Sequence, residues 1–499
     1  MPRSTSPQVS QDPPSAKPAP LPAEPGVSAK DRLVIRLLIV SAFVVILNET
    51  ITGVAIPRLV QDLGITVSAG QWLSTAFLLT MAVVIPITGF LLQRFNTRPL
   101  FLVAMSLFSA GTLLAALAPG FATLVAGRVI QASGTAIMLP LLMTTVMTLV
   151  PAASRGRTMG NISIVISVAP AVGPTAAGAI LSVLDWRWMF WLVLPIALVS
   201  LFLGATKMTN VTSPRKSAID VLSVILSALA FGGIVYGFSR LGEAGAEAAV
   251  PAWLPLAAGI VFLALFITRQ LRLQRADRAL LDLRTFTSRN FTLAILTTFL
   301  AFMGLFGTII LLPIYVQSVL GESPLVAGLL LLPGGVLIGV LGPWTGRVFD
   351  RRGPRVLLVP GALLIGVSFV ALSFASESTP IYLVLIAHIV WSLGLALMLT
   401  PLLTSALGSV KPNLYSHASA VFGTVQQIAG AVGTALFISV TTIVAGNLAA
   451  AGQSETAALD GGIQVAFIWG AVISLAAVIA AIFVRKPENA PDPSAVPAH

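Results

Sequence analysis

Cysteine is absent from the 499 residues, and histidine occurs only as His388, His417 and His499. The first absence excludes disulfide frameworks and thiolate metal or redox centres. The second leaves too few imidazoles for a histidine-rich metal site. Charge is scarce as well: Asp, Glu, Lys and Arg together make up 9%, against about 25% in soluble domains. A soluble chain of this length could not cover its surface with so few charges. The hydrophobic share of 56% and a mean hydropathy of +0.95 point the same way. Composition therefore excludes a cytosolic enzyme, a nucleic-acid-binding domain and a disordered chain. It leaves an all-α integral membrane protein.

Fourteen apolar windows, each near the ~20 residues that span a bilayer as helix, run roughly over 33–56, 70–92, 98–118, 121–149, 158–182, 187–207, 218–239, 252–270, 291–316, 323–345, 354–374, 380–408, 417–446 and 462–484. They are continuous, unlike the short alternating strands of a membrane β-barrel. Residues 1–32 hold eight prolines and no apolar run, so they read as a disordered tail and not as a signal peptide. Residues 487–499 read similarly.

The net charge of +11 resembles a nucleic-acid signal until its placement is followed. Of 29 Lys and Arg, 25 fall in the tails and even-numbered loops, three (Arg58, Arg187, Arg240) in the opposite loops, and Arg128 inside a span. That asymmetry is the positive-inside pattern. It predicts both termini on the cytoplasmic side and removes any need for nucleic acid.

The sequence also repeats. Gly89, Arg94 and Arg98, after the second span, recur as Gly346, Arg351 and Arg355, after the tenth, at one offset of 257. Gly134 to Pro140 in the fourth span is echoed by Gly394 to Pro401 in the twelfth, offset by 260 to 261. Equivalent spans of two six-span halves carry the matches in the same orientation. The expected organisation is a tail (1–32), a first six-helix bundle (33–208), two inserted helices (209–275), a second bundle with its preceding loop (276–486) and a tail (487–499). Parallel six-span halves are a transporter architecture with a site near the midplane. No Walker loop is visible and no loop is long enough for a catalytic domain. Neither enzyme activity nor a cofactor is expected, and coupling must come from an ion gradient.

The pattern Gly-x-x-x-Asp-Arg-x-Gly-x-Arg over Gly346 to Arg355 resembles the signature loop of the major facilitator superfamily. Fourteen spans with a central pair resemble its drug:proton antiporter branch, the QacA- and EmrB-like exporters. Further similar elements are Arg128 to Gln131, Gly173-Pro174, Trp186 to Phe190 and Leu47 to Pro57. The resemblance covers about residues 30–486. It implies proton-coupled efflux of hydrophobic or cationic drugs by alternating access, acting as a monomer on a small drug-like molecule and protons. Export of an endogenous lipid, metabolite or antibiotic on the same fold is the alternative.

Glu49 is the one acid placed well inside a span. A carboxylate in hydrocarbon is costly, and such residues face a cavity, pair, or carry protons. A carboxyl neutral when sealed and ionised when wet can load and release a proton, and can attract a cationic drug once ionised. The plainer alternative is an acid at the outer water boundary. The branch commonly has Asp one position earlier, where this chain has Asn48; the Asn-Glu-Thr order resembles lincomycin-resistance-type exporters. Arg128 needs a partner, and the resemblance implies a role in proton coupling; Gln131, one turn on, could share its cluster.

Gly173 and Pro174 fall in the resemblance's antiporter motif, which implies a seal against ion leak; tight packing is the alternative. The signature loops, with Gly89, Arg94, Arg98, Gly346, Asp350, Arg351 and Arg355, are expected to latch the cytoplasmic side. Asp350 can cap a helix start or pair with Arg351 or Arg355. The first copy has Gln93 for Asp and Asn96 for Gly, so its latch should be weaker. Substrate candidates are Asn48, Phe77, Gln131, Phe302, Phe306, Trp391, Phe422 and Gln426, with Phe43, Trp72 and Tyr315 behind them. Aromatics in a midplane cavity suit bulky or cationic ligands. His388 could titrate, although a hydrogen-bonded histidine is the simpler reading.

Overall fold

The computed structural model describes residues 28–65, 67–151, 154–211, 220–242, 251 and 253–487. Most of both expected tails lies outside these residues. The exception corrects the first boundary: helix begins at Ala29, inside the segment expected to be disordered.

Backbone amides have no water to bond in hydrocarbon, so each apolar run closes its hydrogen bonds internally as helix. The long helices are α1 (Ala29–Leu63), α2 (Val67–Arg94), α3 (Thr97–Ala116), α4 (Phe121–Leu149), α5 (Arg155–Val183), α6 (Trp188–Lys207), α7 (Val221–Gly242), α8 (Trp253–Leu273), α9 (Arg289–Ile314), α10 (Pro324–Arg352), α11 (Arg355–Ser373), α12 (Ile381–Gly408), α13 (Tyr415–Ala450) and α14 (Glu455–Phe483). Among the described residues, thirteen of them are long and apolar enough to cross a membrane. The remaining one, α5, runs 29 residues and packs lengthwise on α10 and α1. Serine hydroxyls cap several starts: Ser288, Ser323 and Ser454 accept from the amides of Phe291, Val326 and Ala457.

The helix pairings repeat. In the first half α3 packs on α4 and α6, α2 on α4, and α1 on α4, α5 and α6. Adding eight to each label gives pairs found in the second half: α11 on α12 and α14, α10 on α12, and α9 on α12, α13 and α14. This is the parallel repeat that the motif offsets predict, folded twice. The halves meet chiefly through α5 on α10 and α2 on α13. The inserted α7 lies against both α2 and α13, with α8 packed outside it.

A polar knot fixes the foot of the insert. Arg269 donates through Nε and Nη2 to both Asp220 oxygens at 2.7 Å, and Gln270 Nε2 donates to Ser223 Oγ at 2.8 Å. The oxygen of Gln270 accepts from the amides of Leu280 and Leu281, tying the insert to the chain entering the second half. The Arg269 guanidinium holds the Asp220 carboxyl down at about 2.

Two sequence expectations need correction. α1 continues to Leu63, so Arg58 and Asp62 form an i,i+4 ion pair on helix, 3.3 Å apart, not in a loop. Asp460, expected in a loop, lies near the start of α14 and is 7% exposed, so an acid outside the Glu49 region is also buried. The helices overshoot their apolar windows because they continue into the interfacial layer, where hydropathy falls but hydrogen bonding does not.

Candidate functional site

Four helices of the first half converge on Arg128, which is 1% exposed. Its Nη1 donates to Asn48 Oδ1 on α1 at 3.0 Å and to Gln131 Oε1 on α4 at 2.6 Å. Gln131 Nε2 donates to Thr112 Oγ1 on α3 at 2.7 Å, and Thr112 donates to the Phe108 carbonyl at 2.6 Å. From α2, the Phe77 ring lies 4.1 Å from the guanidinium carbon, within cation–π range. The sequence spacing put Arg128 and Gln131 on one helix face; the fold adds Asn48, Thr112 and Phe77. Thr112 was not singled out, since a threonine in an apolar run carries no signal by itself.

Glu49 follows Asn48 and is surrounded by protein, within electrostatic reach of Arg128. It retains partial exposure, whereas Asn48 is buried. Among the described residues its carboxyl forms no hydrogen bond and no ion pair within 4.0 Å of a cation, and Arg128 Nε is also without a partner. The two groups therefore interact through space without a bond between them. The next residue, Thr50, packs against Gly173 of α5: a Cβ added to Gly173 would come 2.1 Å from its Oγ1. The missing side chain at Gly173 lets α5 pass close to the acid-bearing turn of α1. The side chain of Pro174 lies outside the described residues.

The signature loops sit at the end of the bundle rich in Arg and Lys. Asp350, in the last turn of α10, reaches the start of α5. Its Oδ1 accepts from Gly156 N and its Oδ2 from Arg157 N, each at 3.0 Å. Of the alternatives the sequence left open, capping a helix start is the one observed. Arg355 instead donates to the Val484 carbonyl, and Arg351 is exposed. The backbones nearly touch here, since a Cβ on Gly346 would fall 2.1 Å from the Gly156 oxygen.

In the first copy Gln93 donates to the Asn413 carbonyl at 3.0 Å, and Arg98 to the Ala205 carbonyl at 2.6 Å. Arg94 lies 5.9 Å from the Phe95 ring. Gly89 packs against His417 and Ala420 of α13. The two copies turn differently: Gly353 has φ +76°, while Asn96 at the matching place has φ −65° and needs no glycine. Further bonds between halves at this end join Thr144 to Ser419 and Arg155 to Tyr415. The basic end is closed.

The remaining substrate candidates do not gather into one open chamber. Phe302 and Phe422 are each 7% exposed in the packed interior. Phe306 lies partly exposed against Gly430 of α13, and Gln426 is also partly exposed. Trp391 is buried and stacks on His388 at 5.9 Å. Phe43 is partly buried against the first-half core. Trp72 packs on Tyr236 of α7, and the Tyr315 hydroxyl donates to the Ser376 carbonyl, so these two serve contacts elsewhere.

Comparison with known proteins gives the same answer as the geometry. The family model described as Major Facilitator Superfamily matches residues 38–434. The lincomycin resistance protein LmrB of Listeria monocytogenes is 40% identical over 460 residues, covering 91% of this chain and 96% of its own. A multidrug resistance protein B homolog of Mycobacterium tuberculosis is 28% identical over 417 residues, 82% of this chain and 77% of its own. Among solved structures, the human organic anion transporter MFSD10 superposes with a TM-score of 0.64 at 15% identity, covering 91% of this chain and 100% of that one. The proton:xylose symporter XylE superposes with a TM-score of 0.60 at 16% identity, covering 93% and 98%. At these identities the structural likeness speaks for the fold. A twofold six-helix repeat, a paired signature loop and relatives matched nearly end to end lead to one assignment: the chain belongs to the major facilitator superfamily, and it is a multi-pass membrane transporter, not an enzyme.

Proposed function

We propose that this transporter exports hydrophobic or cationic drugs from the bacterial cytoplasm in exchange for protons. The basic end is then the cytoplasmic end, with both termini inside, and the described conformation is closed towards the cytoplasm. The observation that carries the reading is the unjoined Glu49 carboxyl within electrostatic reach of the buried Arg128. A protonated Glu49 leaves Arg128 to Asn48 and Gln131, as seen here. Once ionised, Glu49 is drawn towards the free Nε of Arg128 or towards a cationic cargo, so proton and cargo compete for one carboxyl. The relatives named for lincomycin and multidrug resistance support drug export.

A narrower reading, a carrier of one antibiotic, is favoured by the relatives named for lincomycin resistance in Listeria monocytogenes and Bacillus subtilis. Inverted membrane vesicles containing the protein, acidified inside, separate the two when offered ethidium and lincomycin in turn. Drug export predicts accumulation of both, abolished by an uncoupler. Accumulation of lincomycin alone selects the narrower reading. Accumulation unaffected by the uncoupler contradicts proton exchange.

A further inference from the structure

The repeat offsets carry the Arg128 site onto the second half residue by residue. The offset of 260 that takes Gly134 to Gly394 takes Arg128 to His388 and Gln131 to Trp391. The offset of 257 that takes Gly89 to Gly346 takes Phe77 to Gly334. Packing supports the register. Gly134 sits on Ala104 and Phe108, and Gly394 sits on Gly361 and Ile365, again 257 apart. The contact is reproduced too: Phe77 of α2 lies over Arg128, and Gly334 of α10 lies over His388, where an added Cβ would come 2.5 Å from Nε2. The position that holds a permanent cation in the first half holds an ionisable ring in the second.

His388 is 5% exposed, and its ring stacks on Trp391 with the planes 12° apart. Nε2 is 3.4 Å from Ser392 Oγ; Nδ1 has no partner among the described residues, nor has the indole N–H of Trp391. Buried polar atoms are normally paired, and these two lie one turn apart on α12. Among the described residues no charge faces the ring. From α10 it meets Gly334 and the Leu331 carbonyl. The ionisable groups of α10 (Arg347, Asp350, Arg351, Arg352) lie at its basic end, as do Arg155 and Arg157 of α5, Arg289 of α9, Arg355 of α11, and Tyr415 and His417 of α13. Tyr382 on α12 is 59% exposed at the opposite rim, where Glu322 and Glu377 lie in loops and Tyr315 is bonded to Ser376.

We propose that His388 is a second proton-binding position, the counterpart of Arg128, and that the proton it takes parts α10 from α12. An imidazolium in the closed packing would be a charge in a largely apolar interior with no carboxylate beside it among the described residues. The closed pair therefore holds the neutral ring. When α10 and α12 separate, water reaches Nδ1; with Nε2 carrying the ring proton, Nδ1 takes a second one from hydronium, leaving water, and reclosure returns that proton to water. Proton binding and separation are linked, so acid favours the parted form.

The absence of cysteine gives a clean test in the full-length protein. Spin labels on Leu325→Cys and Tyr382→Cys, both exposed at the ends of α10 and α12 away from the basic end, report their separation by double electron–electron resonance. With His388 in place, a longer-distance population should grow at least threefold from pH 7.5 to pH 5.5. His388→Gln and His388→Asn should keep the pH 7.5 distance and show no growth. His388→Arg, which restores the first-half residue, should show the longer population at both pH values. An equal acid-induced shift in the Gln or Asn variant, or no shift with His388 present, overturns the proposal. The readout is a distance, so it does not depend on which cargo is carried.

Discussion

Arg128 is where single side chains matter most. Arg128→Met leaves the Asn48 and Gln131 oxygens without their buried donor, at about 1–3 kcal/mol each. We expect thermal unfolding in detergent to begin several degrees lower and transport to be lost. Arg128→Lys keeps the charge but replaces a planar fork by a point donor. It should fold near normally, with transport reduced roughly tenfold, which corresponds to about 1.4 kcal/mol in the limiting step. Thr112→Val removes only the outermost bond of the chain and should cost about 1 kcal/mol of stability while transport persists. If Thr112→Val and Arg128→Lys lower transport equally, the cluster is a structural clamp and not part of coupling.

At the scale of elements, the Asp350 cap on α5 and the Asp220–Arg269 knot make separate predictions. Asp350→Ala removes both acceptors from the α5 start. A lost cap is worth about 1 kcal/mol, so the ratio of closed to open basic ends should fall roughly fivefold. Spin labels across the basic ends of α5 and α10 measure that ratio; an unchanged distance distribution would show that the cap carries no weight in closure. For the knot, the sign follows from a carboxyl held at about 2 when folded, below its ordinary value near 3.9. Its contribution is complete above about pH 4 and fades as pH falls through about 2. Asp220→Asn should therefore lower the unfolding temperature at pH 7 more than at pH 3.

Over the whole molecule, the chain order of helices, their number and their repeat were legible because hydrocarbon tolerates so few structures. An apolar run has one available form, and the recurrence of Gly89, Arg94 and Arg98 as Gly346, Arg351 and Arg355 displayed the duplication directly. Helix ends were less legible: Arg58 and Asp62 look like loop residues, yet they pair on a helix that continues past the apolar window. Asp460 was misplaced for the same reason. The candidate site was legible in the position of its ionisable members, Glu49 and Arg128, within helices, since charge stands out in an apolar run. It was illegible in its neutral partners and in contacts between distant segments. Nothing local shows that Asp350 caps a helix nearly two hundred residues earlier, or that Asn48 and not Glu49 bonds Arg128.

An exchange of a proton for cargo at Glu49 makes substrate alone move protons across a membrane. The direct measurement is proton movement caused by substrate in sealed proteoliposomes. A trapped pH-sensitive dye reports the lumen, and ethidium or lincomycin is added with no pre-existing pH gradient. With Glu49 intact, substrate entering the lumen should drive protons out, and the lumen should turn alkaline in proportion to substrate moved. Glu49→Gln, which has no titratable carboxyl, should move no protons. Substrate-driven proton movement of undiminished size in Glu49→Gln would contradict the account.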